Sequence, residues 1–246
     1  MQVLYITYKK KFATGDSKLT IGIIDDNVGI FATYYKLRQV VKANFVCQIT
    51  DKSFPLAKLN VPTLYDVGKR AIDSLIAKGA DVIVLSNATI GALCYKRLAE
   101  YSTVQLYSLE APVLHAATYT ASGVLVCVDN PRIFRQTVSN VRVCVMEDFA
   151  ALSQNASERQ ITQYIEERIA EVDFNFDCLA LSSSSMNLYK HCFCRVCPNV
   201  RVFDSLDGVA RKIRKKYKKM SNDESTCVVL DEFGTDITQN YDIFLE

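Results

Sequence analysis

Short runs of apolar residues recur along this chain and alternate with segments of helical periodicity. The clearest runs are residues 21–24, 82–85, 123–128 and 178–181. Strands in which every residue is apolar are typical of parallel sheets, because helices cover both faces of such a sheet. The alternation of strands and helices therefore predicts an α/β fold built on doubly wound parallel sheets.

The chain carries this pattern twice. The order of elements over residues 21–109 is repeated over residues 123–203, and no linker rich in glycine, proline or serine separates the two stretches. A chain of 246 residues is long enough to bury the cores of two such units. We predict two similar halves that face a cleft, with residues 1–111 and 199–246 in the first lobe and residues 112–198 in the second.

Polar side chains end several of the apolar runs abruptly. Asp25 and Asp26 follow the first run, Ser86 and Asn87 follow the second, and four serines at residues 182–185 follow the last. Ligands of open α/β sheets lie at the carboxyl ends of the strands, so these residues mark a candidate site. The serine run has two interpretations, an anion pocket at a helix N-terminus and helix capping with a solvated turn.

Composition excludes several classes of function. A net charge of +2 gives the whole molecule no strong attraction to nucleic acid or to a membrane surface. No apolar run reaches the roughly 18 residues that a transmembrane helix needs, and residues 1–20 lack the apolar core of a signal peptide. We therefore expect no membrane partner, nine reduced cysteines and an intracellular protein, in the cytoplasm or the nucleus.

The cysteines fall into two groups. Four of them lie in apolar runs, where a thiol acts as a small hydrophobic side chain, namely Cys47, Cys127, Cys144 and Cys178. A second group offers enough ligands for one zinc ion, namely His191, Cys192, Cys194 and Cys197. Its spacing is not that of a paired C-x₂-C site, so we predict no metal and read these thiols as core or surface residues. Metal binding by these three cysteines stays an open alternative.

A basic segment lies near the C-terminus, over residues 211–219. Its cations are Arg211, Lys212, Arg214, Lys215, Lys216, Lys218 and Lys219. Val209, Ile213 and Tyr217 keep an apolar stripe at helical spacing, which predicts a docked helix with its basic face outward. A solvated face is the simplest interpretation, and contact with an anionic partner such as nucleic acid is the alternative.

Four stretches resemble motifs of the glutamate racemases. Residues 21–29, Ile-Gly-Ile-Ile-Asp-Asp-Asn-Val-Gly, resemble the opening strand that ends in Asp-Ser-Gly-Val-Gly. Residues 82–91 resemble the strand that ends in Cys-Asn-Thr, and residues 179–189 resemble the strand that ends in Gly-Cys-Thr-His-Tyr-Pro. Residues 202–211 are similar to the last strand and helix of the family. The order holds from about residue 19 to residue 219, which is most of the chain.

The resemblance implies a two-domain fold with a pair of catalytic positions in the cleft and no cofactor. In that family one cysteine thiolate removes the α-proton and a second thiol reprotonates the opposite face. Ser86 and Ser183 stand at the positions of these cysteines, and Ser185 stands at the position of the histidine that assists the second one. A hydroxyl does not reach its anion at the pH at which a thiol does, so the resemblance implies that the two-thiol mechanism is absent.

The resemblance also marks residues that would hold a substrate. Asp25 and Asn87 match family residues, Asp26 stands at a position that grips the amino acid, and Ser184 keeps a hydroxyl. Glu110 follows a strand end that faces the cleft in the family. With Asp25 and Asn87 it is expected to form a polar cleft of partly buried carboxylates, which titrate unusually.

Three functions follow as hypotheses. The first is a non-catalytic protein with a binding, structural or regulatory role, with a small carboxylate or amino-acid ligand, a homodimer or a protein partner. The second is an isomerase or lyase of altered chemistry with Asp25 or Glu110 as base. The third is anion or nucleic-acid contact through residues 211–219. An open cleft between the two strand ends would favour binding or catalysis, whereas a cleft filled by bulky side chains such as Leu56 or Met186 would favour a structural role.

Overall fold

The computed structural model describes residues 18–50, 56–134 and 139–245. The strands are β1 (Thr20–Asp25), β2 (Asn44–Ile49), β3 (Val82–Leu85), β4 (Gln105–Ser108), β5 (Val124–Val128), β6 (Val141–Val145), β7 (Cys178–Leu181), β8 (Arg201–Phe203) and β9 (Thr226–Leu230). They form two sheets with the orders β4-β3-β1-β2-β9 and β6-β5-β7-β8. Every pairing between these strands is parallel, as the continuous apolar runs predict.

Helices connect the strands and cover both faces of the sheets. They are α1 (Ile30–Arg38), α2 (Val61–Ala77), α3 (Ala88–Tyr101), α4 (Val113–Ala117), α5 (Phe149–Asn155), α6 (Glu158–Ala170), α7 (Ser184–Leu188), α8 (Lys190–Val196) and α9 (Leu206–Tyr217). Each sheet has one apolar cluster on each face, so the sheets are doubly wound. No helix in the described ranges is both long enough and apolar enough to cross a bilayer.

Local sequence explains the helix ends. The Asn60 side chain accepts a hydrogen bond from the Thr63 backbone nitrogen at 2.9 Å, and Pro62 occupies the first turn, so α2 begins there. Gly79 follows the end of α2 with φ of +86°, a conformation that residues with a Cβ rarely adopt. Ser157 and Gln160 form a capping box at the start of α6.

The two halves share one topology. β1 pairs with β2 on one side and β3 on the other, and β5 pairs in the same way with β6 and β7. Ile24 is opposite Leu85 in the first sheet, and Cys127 is opposite Leu181 in the second. The predicted pair of similar halves is confirmed. The strand ends of interest, after β1, β3, β5 and β7, lie at one edge of each sheet because the strands are parallel.

Strand pairing departs from the predicted lobe limits at one place. The prediction ends the second lobe at residue 198, whereas β8 pairs with β7 in the second sheet. The chain returns to the first half only with α9, whose apolar side packs in the same cluster as α1. The reason is that β8 completes the second sheet as β4 completes the first, before the chain crosses back.

Two further differences concern helices. The pattern predicts one helix over residues 187–195, whereas α7 and α8 meet at a break at Tyr189, with φ of −101° and ψ of 24°. The short helix α5 and a 3-10 helix at Thr238–Phe244 are not predicted. In the latter, the Phe244 ring stacks on Phe31 with ring centroids 4.6 Å apart, so the C-terminal segment covers the first core.

The four cysteines predicted as small hydrophobic residues are buried.

Candidate functional site

The polar residues that follow the strand ends of both halves meet at the junction of the halves. We call this group the strand-end cluster, and its members are Asp25, Asp26, Ser86, Asn87, Asp129, Ser183, Ser184 and Ser185. Gly29, which follows β1, lies against α7 so closely that a Cβ atom built on it would come within 2.6 Å of the Ser184 hydroxyl oxygen. Sequence reasoning placed all but Asp129 in the candidate site.

Ser86 is fully buried directly after β3. Its backbone nitrogen donates to the Ile24 carbonyl oxygen at 2.9 Å, which continues the parallel ladder beyond the strand. Its hydroxyl shares a hydrogen bond of 2.7 Å with the hydroxyl of Thr33 on α1, and both side chains are enclosed. The residue at the position of the first family cysteine is therefore tied into the core of the first half.

Ser183 and Ser185 are equally enclosed. The Ser183 hydroxyl accepts a hydrogen bond from the Met186 backbone nitrogen at 3.4 Å, so Ser183 caps α7. The Ser183 and Ser185 hydroxyl oxygens are 3.2 Å apart. Of the two interpretations of the serine run, capping is what the geometry supports, although the serines are buried rather than solvated.

Asp25 is the most perturbed carboxyl of the cluster. Its Oδ1 accepts hydrogen bonds from the Asp26 backbone nitrogen at 2.9 Å and from Asn87 Nδ2 at 3.4 Å. Its Oδ2 is buried and accepts no hydrogen bond of good geometry from the described residues. The hydroxyls of Ser184 and Ser86 nevertheless lie near enough to stabilise a negative charge on the carboxylate. Burial, assisted by the negative charge of Asp26, outweighs these hydroxyls and raises the pKa of Asp25 to about 8.

Asn87 and Asp26 tie the strand ends together. Asn87 Nδ2 donates to Asp26 Oδ1 at 2.9 Å, while Asn87 Oδ1 accepts from the backbone nitrogens of Thr89 and Ile90 and so caps α3. Asp26 Oδ2 accepts from the Leu56 backbone nitrogen at 3.1 Å. Both side chains are therefore committed to protein partners rather than directed at an open site.

Asp129 is the cluster member that sequence reasoning missed. It follows β5 as Asp26 follows β1, and its Oδ1 is buried without a partner among the described residues. Burial, with a further contribution from the Asp26 charge, raises the pKa of Asp129 to about 6. The signal was available, because the dipeptide Asp-Asn follows the first strand of each half, at Asp26-Asn27 and at Asp129-Asn130.

The two asparagines of these dipeptides play the same local role. Asn27 Oδ1 accepts a hydrogen bond from the Gly29 nitrogen at 2.7 Å, and Asn130 Oδ1 accepts from the Arg132 nitrogen at 3.0 Å. Asn130 also reaches the opposite half, where its Nδ2 donates to the Thr89 hydroxyl at 3.1 Å. The Asn27 turn of the first half thus lies against the start of α7, which follows the serine run of the second half. The Asn130 turn of the second half lies against the start of α3, which follows Asn87 of the first half.

Among the described residues, the two serines that stand at the family's cysteine positions adjoin no open space. Ser86 and Ser185 are 0% exposed and Ser183 is 1% exposed, so a water-sized molecule touches almost none of their surface. Leu56 and Met186 are buried on the two sides of the junction, and the Leu56 backbone is hydrogen-bonded to Asp26.

A cavity of about 530 Å³ lies beside the cluster, and we call it the side cavity. Ala88 and Ser182, the neighbours of Asn87 and Ser183, contribute to its wall, but Asp25, Ser86 and Ser183 do not. Its polar lining includes Glu110, His115, Asp204, Ser205, Asp207, Arg211 and Lys212. Glu110 is therefore not brought together with Asp25. It is exposed, and its carboxylate is 3.8 Å from the Lys212 ammonium.

Comparison with known proteins identifies the fold. No protein-family model matches the chain, and no curated protein matches it in sequence. Glutamate racemase from Campylobacter jejuni superposes with a TM-score of 0.74 at 14% identity, over 92% of this chain and 96% of that chain. Glutamate racemase from Escherichia coli superposes with a TM-score of 0.73 at 12% identity, over 87% of this chain and 89% of that chain. This chain has the racemase fold.

The racemase fold extends beyond enzymes that act on glutamate. Allantoin racemase from Klebsiella pneumoniae superposes with a TM-score of 0.54 at 18% identity, over 80% of this chain and 86% of that chain. The predicted α/β architecture with two facing halves and the resemblance to the racemase superfamily are thus confirmed at the level of the fold. Identities this low carry no activity across.

Two surface features remain outside the cluster. The basic side chains of α9 and of the turn that follows it are exposed, while Val209, Ile213 and Tyr217 are buried, as the helical stripe predicts.

The described residues contain one group of three metal-ligand side chains within 4.8 Å of one another, and it consists of Glu158, His191 and Cys192. Cys194 and Cys197, which the sequence grouped with them, are not part of it.

Proposed function

We propose that this racemase-fold chain is a non-catalytic binding protein, which takes a small amino or carboxylic acid in the side cavity and does not invert a stereocentre. The enclosure of Ser86 and Ser183 supports the absence of catalysis. A racemase needs two acid/base groups on opposite faces of a substrate carbon. Here the two matched groups are hydroxyls without an adjacent histidine, and they contact protein on all sides.

An isomerase or lyase of altered chemistry is the competing hypothesis, with Asp25 or Glu110 as base. Asp25 stays protonated up to a pH of about 8, and its side chain is 0% exposed, so it is a poor base for an external substrate. Glu110 is accessible but faces Lys212 at the side cavity, away from the strand-end cluster. These observations favour binding over catalysis.

The side cavity has the size and chemistry of a small-molecule site. Its volume of about 530 Å³ lies within the usual range for ligand pockets, and it combines an apolar wall with a few charged groups. Asp204 and Asp207 are already paired with Lys190 and Lys36. Arg211 has no ion-pair partner within the described ranges, so its guanidinium is free to hold a carboxylate. Glu110 is paired with Lys212 at 3.8 Å, and it would hold a ligand ammonium group only in place of that lysine.

Hydrogen exchange at the α-carbon tests the absence of catalysis. The protein is incubated in D₂O with single L- and D-amino acids, and loss of the α-proton signal is followed by NMR. We expect no loss above the buffer rate. Exchange that disappears in Asp25→Asn, purified in parallel, would overturn the proposal in favour of altered chemistry. Exchange that is equal in both samples but disappears in Glu110→Gln would also overturn the proposal, with Glu110 as the base. Exchange that is equal in all three samples identifies a contaminating racemase.

Calorimetry with a panel of amino acids and dicarboxylic acids tests the binding part. We expect Arg211→Gln to weaken binding by about tenfold or more, because a hydrogen bond to a charged group contributes roughly 1.5–3 kcal/mol. Arg214→Gln is the matched control, since Arg214 is exposed on the same helix but does not line the cavity. Absence of binding across the panel, or equal affinity in both variants, would contradict the proposed site.

A second candidate function is contact with nucleic acid through the basic face of α9. The exposed cations on that face and in the following turn favour it, because such a face is attracted to a phosphate backbone. Binding of a labelled oligonucleotide should weaken steeply with salt and should fall in Lys215→Glu but not in Lys96→Glu, an exposed lysine of α3. An equal effect of the two reversals would exclude this surface. An intracellular location and a homodimer or protein partner remain predictions.

A further inference from the structure

Three chemically distinct ligand atoms converge on the surface of the second half, away from the strand-end cluster. Glu158 is the first residue of α6, and His191 and Cys192 lie in the first turn of α8. His191 Nε2 is 3.3 Å from Glu158 Oε2 and 3.4 Å from Cys192 Sγ. All three ligand atoms lie within 4.8 Å of one another.

Two of these separations match the edges of a zinc coordination tetrahedron. With zinc bonds of about 2.0–2.2 Å to nitrogen and oxygen and about 2.3 Å to sulfur, tetrahedral angles place nitrogen about 3.4 Å from oxygen and about 3.6 Å from sulfur. The nitrogen–oxygen and nitrogen–sulfur separations of the trio are within about 0.2 Å of these edges. The carboxylate oxygen and the sulfur lie within 4.8 Å of each other, so movement of the half-exposed Glu158 side chain would bring all three atoms onto one ion.

The surroundings hold the ligands in place. Arg195 Nη2 donates to Glu158 Oε1 at 2.8 Å, which leaves Oε2 directed at His191. An outer hydrogen bond of this kind orients a carboxylate ligand. Cys192 is fully buried and packs in an apolar cluster of the second half, so this packing holds its sulfur in position beneath the two exposed ligands.

Exposure leaves one side of the group open. The side chains of Glu158 and His191 are 50% and 51% exposed, so a fourth ligand would come from solvent. We infer that Glu158, His191 and Cys192 form a zinc-binding site with three protein ligands and one open position. Nitrogen, oxygen and thiolate sulfur are the donors that zinc takes in proteins, and an open fourth position is typical of zinc sites that bind water or a further ligand.

Binding balances in charge and protons. Cys192 binds as a thiolate, so its thiol proton passes to solvent, and His191 binds as neutral imidazole through Nε2. One thiolate and one carboxylate then compensate the two positive charges of the ion. The site differs from the sequence-based expectation of no metal because Glu158, from another helix, supplies a ligand in place of Cys194 and Cys197.

Cobalt substitution tests the site with the metal alone. Co²⁺ is titrated into the full-length protein under reducing conditions, and the thiolate-to-cobalt charge-transfer band and the visible bands of tetrahedral Co²⁺ are recorded. We expect saturation at one equivalent and displacement of Co²⁺ by Zn²⁺. His191→Ala removes an exposed ligand, and it should weaken binding by more than the roughly 10–100-fold that loss of an outer hydrogen-bond partner costs.

Cysteine variants assign the sulfur. Cys194→Ser, which alters an exposed thiol on the same helix, should leave the charge-transfer band unchanged, whereas Cys192→Ser should abolish it. Circular dichroism checks that the Cys192 variant is folded, and Glu158→Gln gives an independent measurement if it is not. Absence of a stoichiometric cobalt complex, an unchanged affinity in His191→Ala, or loss of the band in Cys194→Ser would each overturn the proposal and leave a metal-free hydrogen-bonded trio.

Discussion

Gly29 of the first half lies against Ser184 of the second half without room for a side chain. A Cβ atom at Gly29 would come within 2.6 Å of the Ser184 hydroxyl oxygen and closer still to the Ser185 backbone nitrogen. The backbone of Gly29 is in the ordinary right-handed helical region, with φ of −56° and ψ of −21°. Close approach of the halves, and not an unusual dihedral angle, therefore requires glycine at this position.

Gly29→Ala should lower the free energy of unfolding by about 1–3 kcal/mol, the usual cost of an overpacked site. The matched control is Gly208→Ala in α9, where an added Cβ atom meets nothing within 4 Å. That control should be neutral or stabilising by up to about 1 kcal/mol, because alanine is the better helix former. Urea denaturation measures both variants, and an equal effect of the two would refute the tight contact between halves.

Protonation of Asp25 should make stability fall as pH rises. Its pKa is about 8 in the folded protein and near 3.8 in the unfolded chain, since burial, with the Asp26 charge, opposes ionisation. Between these values the unfolded chain has released the proton and the folded protein has not. The Asp25 contribution to the free energy of unfolding therefore decreases from about pH 4 to about pH 8, by at most about 1.4 kcal/mol per pH unit, and is constant above.

Asp25→Asn should remove this pH dependence, because the amide stays neutral. The stability of the variant relative to the unaltered protein should increase with pH up to about 8. Asp129→Asn provides the comparison, and its relative stability should stop increasing near pH 6, the pKa to which burial raises Asp129. Urea denaturation at half-unit pH steps measures both. A flat difference for Asp25→Asn would show that Asp25 is ionised in the folded state.

Loss of the Ser86 hydroxyl should lower the free energy of unfolding more than loss of its hydrogen-bond partner, the Thr33 hydroxyl. The two oxygens share a buried hydrogen bond of 2.7 Å, and the Ser86 hydroxyl also lies near the carboxyl of Asp25. After Thr33→Val, Ser86 can turn to Asp25, whereas Ser86→Ala leaves both Thr33 and Asp25 without that partner. We expect Ser86→Ala to cost about 1–3 kcal/mol and Thr33→Val less, with the double variant below the sum. Equal single costs in chemical denaturation would contradict this order.

Asp204 should stabilise the crossing from the second half back to the first. Its Oδ1 accepts from the backbone nitrogens of Leu206 and Asp207 at 3.0 and 3.1 Å and so caps α9, and its Oδ2 is 2.6 Å from Lys190 Nζ. Burial alone would raise the pKa of Asp204, but Lys190 and the helix nitrogens outweigh burial and lower it.

Asp204→Ala should cost about 1–2 kcal/mol at neutral pH, the value of a lost cap, plus the loss of the ion pair with Lys190. Asp204→Asn keeps a cap oxygen and should cost less. Because the pKa of Asp204 is lowered in the folded state, the contribution is present above about pH 4 and is lost as the pH falls below it. Thermal denaturation at pH 7 and pH 3 measures both, and equal losses in the two variants would refute the capping role.

Much of the fold follows from local pattern. Continuous apolar strands such as Val82–Leu85 and Cys178–Leu181 are buried and parallel, because only strands covered on both faces tolerate four apolar residues in a row. The meeting of Asp25 with Asn87 also follows, because neighbouring parallel strands end at the same sheet edge. The break at Tyr189 did not follow, since no proline or glycine marks it.

The sequence by itself determined the architecture of two wound sheets and the polar residues at their carboxyl ends, because side-chain periodicity and strand direction are local properties. Only the tertiary structure decided that the strand-end cluster is enclosed, that Glu110 faces the side cavity, and that Glu158 joins His191 and Cys192. Each of these depends on how elements distant in sequence pack, and that packing is set by long-range shape and charge, which no local pattern records.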